Sequence, residues 1–239
     1  MAKANATLPY RDPRIPMRSK IANGVYIDFE GFANPHQRFP PPVLIGLHCA
    51  REGKSFGEGF HQVVFTKAFR WAAEDAGMPH QVVYCEDREG FLRNLVKQSG
   101  KSKPLFAFTE HEFGFLEELM GSIVRRRYRN VRLIAKRWCN REVAKGKCEE
   151  RILAGKPIDW SLREVAGAMG FTLTEKLPTG GVTNRLRKVK EYSHSKASWE
   201  AAPAATRRAW REVLKHNRED VRLIYEMMNM IRPATGDAE

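Results

Sequence analysis

The segment NGVYIDFEGF near the start of the chain alternates its side chains with a period of two. Val25, Ile27 and Phe29 share one face of an extended backbone, and Asp28 and Glu30 share the other. This period predicts a β-strand and is incompatible with a helix. Any fold of this chain must therefore bury one face of the strand and accommodate two neighbouring carboxylates on the other.

Apolar runs and turn-forming segments continue this pattern along the chain. A Pro-rich connection leads to VLIGLHCA and a Gly-rich turn leads to FHQVVF, which predicts a three-stranded antiparallel meander. A helix around Thr66–Asp75, the strand QVVYC, a helix over about Arg88–Lys97 and the strand PLFAF are expected next. The fold class predicted is α/β, with a mixed sheet of antiparallel meander and parallel strands flanked by helices.

The second half of the chain is predicted to be mainly helical. Thr109 and Glu112 have the spacing of a capping box, which predicts the start of a helix, and a shorter helix is expected over Leu162–Met169. The segment Thr172–Trp199 shows no clear periodicity, so we expect a long irregular excursion there. After Pro203 the sequence is helical in character to Ile231, and Pro233 ends it.

Length and charge bound the organisation of the chain. At 239 residues we expect one folded domain over residues 23–232, a flexible basic arm over 1–22 and a flexible tail over 233–239. Lys and Arg total 41 against 28 Asp and Glu, and this excess of +13 favours a polyanionic partner such as nucleic acid. Apolar runs such as PVLIGL are too short to span a bilayer, so no membrane association is expected.

The cysteine pattern indicates a reducing compartment. Cys49, Cys85, Cys139 and Cys148 include no CxxC pair, so neither a disulfide framework nor a zinc knuckle is indicated. The first twenty residues are basic and Pro-rich but lack an apolar core, unlike a secretory signal. We therefore expect a cytoplasmic protein.

Two groups of residues are candidates for metal chemistry. Asp28 and Glu30 on one strand face could share a divalent ion, and hard oxygen ligands suit the Mg²⁺ or Mn²⁺ used in phosphoryl transfer. The alternative is a polar face on an exposed strand. His216 and Asp220 lie one helical turn apart at the head of a stripe that includes Val221, and the sequence leaves open whether they are a buried pair or a catalytic one.

Four features together carry a resemblance to a known family. The chain contains DFEG, an acidic residue opening the helix after a later strand, WSLREVAGAMGF and finally HNREDVRLI. In this order they resemble the RNase H-like DEDD exonuclease superfamily. The most similar branch consists of exonuclease domains that are found alone or attached to helicases and RecB-like nucleases. Its pattern runs DIEG, a glutamate in the first turn of a helix, a helix start ending in LGF, and YNxxDV.

The resemblance implies an RNase H-like fold and a two-metal 3′-to-5′ exonuclease using two Mg²⁺ or Mn²⁺ ions. Asp28 would bridge the two ions, Glu30 and Asp220 would hold the one that carries the attacking water, and Glu112 would occupy the second motif. His216 would orient or deprotonate that water. The superfamily as a whole usually has Asp where Glu112 stands, so Glu110 is the alternative ligand, and Tyr is commoner at the position of His216.

Basic clusters predict where nucleic acid is bound. Phosphate contacts are expected from two groups of cations. They are Arg125, Arg126, Arg127, Arg129, Lys136 and Arg137 in the first group, and Arg185, Arg187, Lys188 and Lys190 in the second. The expected partner is a single-stranded DNA or RNA 3′ end, with a helicase or nuclease as a protein partner. The alternatives are a catalytically inactive nucleic-acid-binding module and an endonuclease or junction resolvase of the same fold.

Overall fold

The computed structural model describes residues 16–74, 82–100, 103–143, 160–173, 181–193 and 198–231. Residues 1–15 of the expected arm and the expected tail 233–239 lie outside these ranges, as does Cys148. Cys49, Cys85 and Cys139 are free thiols. In the described ranges the helices are too short or too polar to cross a membrane.

A six-stranded mixed sheet forms the centre of the molecule, in the order β4-β3-β2-β1-β5-β6. β1, β2 and β3 pair antiparallel, which confirms the expected meander, whereas β5 runs parallel to β1, β6 to β5 and β4 to β3. The strands are β1 (Val25–Glu30), β2 (Leu44–Cys49), β3 (Phe60–Val64), β4 (Val82–Tyr84), β5 (Leu105–Ala107) and β6 (Tyr128–Asn130). The α/β class and the mixed sheet are thus predictable from the sequence.

Helices cover both faces of this sheet. They are α1 (Arg18–Ala22), α2 (Arg70–Glu74), α3 (Arg88–Gln98), α4 (Glu110–Met120), α5 (Val131–Val143), α6 (Leu162–Ala168), α7 (Gly181–Tyr192) and α8 (Ala204–Ile231). α3 and α4 pack with Val25, Ile27 and Phe29 on one face. The other face is covered by α8, with α5 and α6 along its second half and α2 and α7 along its first half.

The period-two alternation of β1 decides which side chains meet α8. Val25 and Ile27 point into the core beneath α3 and α4, so Tyr26, Asp28 and Glu30 point to the opposite face. α8 lies across that face and contacts β1, β2 and β3. It is amphipathic over 28 residues, and its buried positions are held against the sheet by their apolar area.

Three segments differ from the sequence-based expectations. The expectation of an irregular Thr172–Trp199 is wrong, because this segment contains α7, in which Leu186 and Val189 are buried against α8 and α2. Residues 18–22, assigned to the arm, form α1, and Ile21 is fully buried. The basic stretch after Met120 contributes β6 and α5, for which no element is expected from the sequence.

Candidate active site

Asp28 and Glu30 lie in the second half of β1, near the centre of the sheet. Asp28 is paired with Gly46 of β2, and Glu30 with Leu44. Both carboxylates point towards α8 and are partly buried beneath it. The sheet therefore brings the two acidic side chains to a position that the helix can complete.

Asn217 of α8 fixes the side chain of Asp28. Its fully buried amide Nδ2 donates to the Asp28 carboxylate Oδ2 at 2.8 Å and to the Asp28 carbonyl oxygen at 3.2 Å. Its Oδ1 accepts from Gln62 Nε2 at 3.0 Å. A Cβ at Gly46 would stand 2.2 Å from Oδ1 of Asn217, so only glycine leaves room for this amide.

His216, Asp220 and Arg163 form a second cluster beside Glu30. Nε2 of His216 lies 3.4 Å from Asp220 Oδ2 and 4.0 Å from Glu30 Oε1. Arg163 of α6 donates through Nη2 to His216 Nδ1 at 2.9 Å and to Asp220 Oδ1 at 3.3 Å. All four side chains are between 12% and 17% exposed, so the cluster is largely shielded from water.

The Arg163 contact determines where His216 carries its proton. A guanidinium can only donate, so Nδ1 of His216 must accept, and a neutral ring then carries its proton on Nε2. Burial, together with the charges of Arg163 and Arg185, lowers the pKa of His216 to about 4. At neutral pH the ring is therefore uncharged and presents an Nε2–H donor towards Glu30 and Asp220.

Glu112 approaches the same site from the first turn of α4. Thr109 caps this helix by accepting from the backbone N–H of His111 at 3.1 Å, and its hydroxyl donates to Glu112 Oε2 at 2.6 Å. The predicted capping residue is confirmed, although Glu112 bonds the Thr109 hydroxyl rather than its backbone. Glu112 is 3% exposed, whereas Glu110 is exposed to solvent. Of the two alternative residues for the second motif, Glu112 is therefore the one whose side chain points into the protein.

The four carboxylates act on one another through their charges. Burial raises the pKa of Asp28 well above its ordinary value, and the charges of Glu30, Asp220 and Glu112 raise it further, against the hydrogen bond from Asn217. The pKa of Glu30 is raised by burial, Asp220 and Glu112, and lowered by Arg163. Burial also raises the pKa of Asp220 to about 7, opposed by Arg163.

Such a group of buried like charges is suited to a cation. One ligand atom each from Glu30, His216 and Asp220 lie within 4.8 Å of one another, close enough to hold a metal ion. His216 Nε2 carries the proton in the observed hydrogen-bond arrangement, however, and a protonated nitrogen cannot ligate a metal. The carboxylate oxygens are the better donors, and they match the preference of Mg²⁺ and Mn²⁺.

The two basic clusters lie in different places relative to these carboxylates. Arg185, Arg187, Lys188 and Lys190 lie on α7, which packs along α8. The charge of Arg185 reaches His216, as its effect on the pKa of the histidine shows.

The first cluster lies further away. Arg125, Arg126 and Arg127 directly precede β6, at the edge where the parallel strands begin, whereas Asp28 and Glu30 lie towards the other edge. Arg125 pairs with Glu117 and Arg127 donates to the Val96 carbonyl oxygen. In the same group, Arg129 donates to the Tyr128 carbonyl oxygen, Lys136 lies over Trp160 and Arg137 is exposed on α5. Nucleic-acid binding by this first cluster stays a prediction.

Two side chains of the candidate site are not predicted from the sequence patterns. Asn217 stands beside His216 in HNREDV, and a lone glycine inside the apolar strand LIGLHC signals that another group approaches closely. Arg163 lies in SLREV, but it is 53 residues from His216, and no local pattern signals that contact. No protein-family model, curated protein sequence or solved structure matches this chain.

Proposed function

We propose that this protein is a metal-dependent 3′-to-5′ exonuclease with an RNase H-like fold. The observation that carries the proposal is the convergence of Asp28, Glu30, Glu112 and Asp220, from β1, α4 and α8, in one partly buried site. Carboxylates in this arrangement repel one another and are stabilised by divalent cations. The 3′-to-5′ direction of the proposed reaction is taken from the motif resemblance.

The topology supports the RNase H-like part of the proposal. β1, which carries two of the carboxylates, lies between an antiparallel pair of strands and two parallel ones. α4 follows β5 directly and delivers Glu112 to the end of the neighbouring strand. α8 crosses the same sheet face and supplies His216 and Asp220.

The residues present fit a pair of divalent ions, which Asp28, Glu30, Glu112 and Asp220 would hold. Bound there, the ions would supply activation of a water molecule and stabilisation of the leaving oxygen of a phosphodiester. The chain itself positions the groups: Asn217 fixes the Asp28 carboxylate, and Arg163 fixes the ring of His216. Because Nε2 of His216 carries a proton, it can donate a hydrogen bond to a water molecule but cannot remove a proton from it. This arrangement favours a role for His216 in orienting the water rather than in deprotonating it.

The proposal is tested with 5′-labelled single-stranded DNA and RNA oligonucleotides and Mg²⁺. We expect a ladder of products shortened from the 3′ end. Asp28→Asn should abolish hydrolysis, because it removes the charge of a metal ligand while retaining the shape of the side chain. Glu118→Gln, at an exposed position of α4, is the matched control and should retain activity.

Other outcomes separate the alternative functions. Discrete internal cuts would indicate an endonuclease or resolvase. Binding without any Mg²⁺- or Mn²⁺-dependent product would indicate an inactive binding module. Full activity of Asp28→Asn would remove the metal centre from the mechanism, and with it the proposal.

A further inference from the structure

A groove lies between α7 and the first half of α8. Its cationic lining comes from Arg185 and Lys188 of α7 and from Arg208 of α8, and Ala204 and Ala205 of α8 also line it. Its volume of about 570 Å³ is in the range of pockets that hold small ligands. The small alanines leave space for a chain to lie close to the helix.

This groove leads to the carboxylates. Arg208, Glu212, His216 and Asp220 follow one another on α8 at four-residue steps, so each lies next to the previous one on the helix surface. Glu212, which also lines the groove, pairs with Arg185. Groove and site are therefore adjacent parts of one surface, about 12 Å apart along the helix from Arg208 to His216.

The charge in the groove is only partly compensated. Arg185 is paired with Glu212, but Lys188 and Arg208 are exposed, and neither forms an ion pair within the described part of the chain. Two cations side by side in a groove repel one another and attract an anion with charges spaced along its length. A phosphodiester backbone has this distribution of charge.

We propose that the groove between α7 and α8 binds the phosphodiester backbone of the substrate strand and leads its end to the carboxylates. This inference rests on the proposed function. The lining offers cations and apolar alanines, and such groups position a strand without reading its bases. The chemical class of ligand is thus a single-stranded nucleic acid held by its phosphates, with no sequence preference.

The test compares two double variants that each remove one Lys and one Arg. Lys188→Gln with Arg208→Gln neutralises the groove. Lys97→Gln with Arg93→Gln neutralises two exposed cations of α3, a helix that packs on the opposite face of the sheet. All four positions are exposed, so both variants should fold like the wild type, which circular dichroism checks.

Binding of a labelled single-stranded oligonucleotide is measured by fluorescence anisotropy in EDTA over a series of salt concentrations. The slope of log K against log salt should become shallower by about 0.7 for each phosphate that is no longer neutralised, or about 1.4 for the groove variant, and stay unchanged in the control. The decrease in affinity should be equal for oligonucleotides of different sequence.

Each other result overturns the inference. An unchanged slope in the groove variant, an equal change in both variants, or a wild type that does not bind would each show that the groove is not the binding surface. Because binding is measured without metal, it is independent of hydrolysis. If binding depends on the groove but the protein cleaves nothing with Mg²⁺ or Mn²⁺, the proposed exonuclease function is rejected. The inference that the groove binds nucleic acid then still holds.

Discussion

At the scale of single residues, Asn217 links the helix to three strands of the sheet. It holds Asp28 of β1, accepts a hydrogen bond from Gln62 of β3, and fills the space that Gly46 of β2 leaves open. Loss of a side chain that holds a metal ligand in place typically lowers metal affinity or activity by about 10- to 100-fold. Asn217 therefore supports the proposed metal site without contacting the metal.

We predict that Asn217→Ala lowers Mn²⁺ affinity or hydrolysis by about 10- to 100-fold, because Asp28 loses the hydrogen bond that orients it. Asn229→Ala is the control, since Asn229 lies on the same helix and donates only to the carbonyl oxygen of Tyr225 in the described structure. Mn²⁺ titration and single-turnover hydrolysis measure the two effects. Equal behaviour of the two variants would reduce Asn217 to a packing residue.

Local patterns identify some of these residues and not others. Asp28 and Glu30 follow from the alternation of β1, and the pairing of His216 with Asp220 follows from their four-residue spacing on a helix. Arg163 meets this pair only because α6 packs against α8. A contact of that kind depends on tertiary packing, and one sequence gives no periodic signal for it.

At the scale of elements, α7 is the main difference between expectation and structure. Val182, Leu186 and Val189 recur at spacings of four and three, but three apolar side chains in a strongly basic segment are a weak helical signal. The helix is stabilised by packing on α8 and α2 rather than by its own propensity. The 28 residues of α8 carry a much longer apolar stripe, and the helix predicted from it is confirmed.

We predict that Leu186→Ala lowers the free energy of unfolding by about 2–5 kcal/mol, the usual effect of emptying a fully buried leucine site. Glu191→Ala, at an exposed position of the same helix, should change it by less than about 0.5 kcal/mol. Urea denaturation followed by circular dichroism gives both values. A Leu186 variant as stable as the wild type would mean that α7 does not contribute to the fold.

At the scale of the whole molecule, the carboxylates needed for the proposed function lower the stability of the metal-free fold. Asp28 is surrounded by Glu30, Glu112 and Asp220, whose charges all disfavour its ionised form. A protein that gathers carboxylates in this way retains a destabilised centre until cations bind, a trade-off that is common at functional sites.

We predict that Asp28→Asn stabilises the metal-free protein at neutral pH by about 0.5–2 kcal/mol while abolishing hydrolysis. The pKa of Asp28 is raised above its ordinary 3.8, so the folded protein binds this proton more tightly than the unfolded chain. The stabilising contribution of that proton is complete below pH 3.8 and is lost as the pH rises through the raised pKa.

The gain in the free energy of unfolding of Asp28→Asn over the wild type should therefore be larger at about pH 8 than at about pH 5, as measured by urea denaturation in EDTA. Mg²⁺ should raise the melting temperature of the wild type more than that of Asp28→Asn, since ligand binding stabilises the folded state. If Asp28→Asn is less stable than the wild type at both pH values, the prediction is wrong. The interactions of the Asp28 carboxylate would then stabilise the fold by more than the repulsion from the neighbouring carboxylates destabilises it.

Because α8 is continuous, its winding fixes the angle between the side chains of its first half and those of its second half. The same uninterrupted helix, about 42 Å long, bears the groove cation Arg208, then His216 about two turns later and Asp220 about three turns later. Inserting one residue between Glu212 and His216 would turn the two halves by about 100° relative to each other and separate the groove from the carboxylates. Seven inserted residues would nearly restore the angle but displace the groove by about 10 Å. In the proposed function, the winding of this one helix aligns the binding groove with the carboxylates, so the length of α8 is under a geometric constraint that its individual surface residues are not.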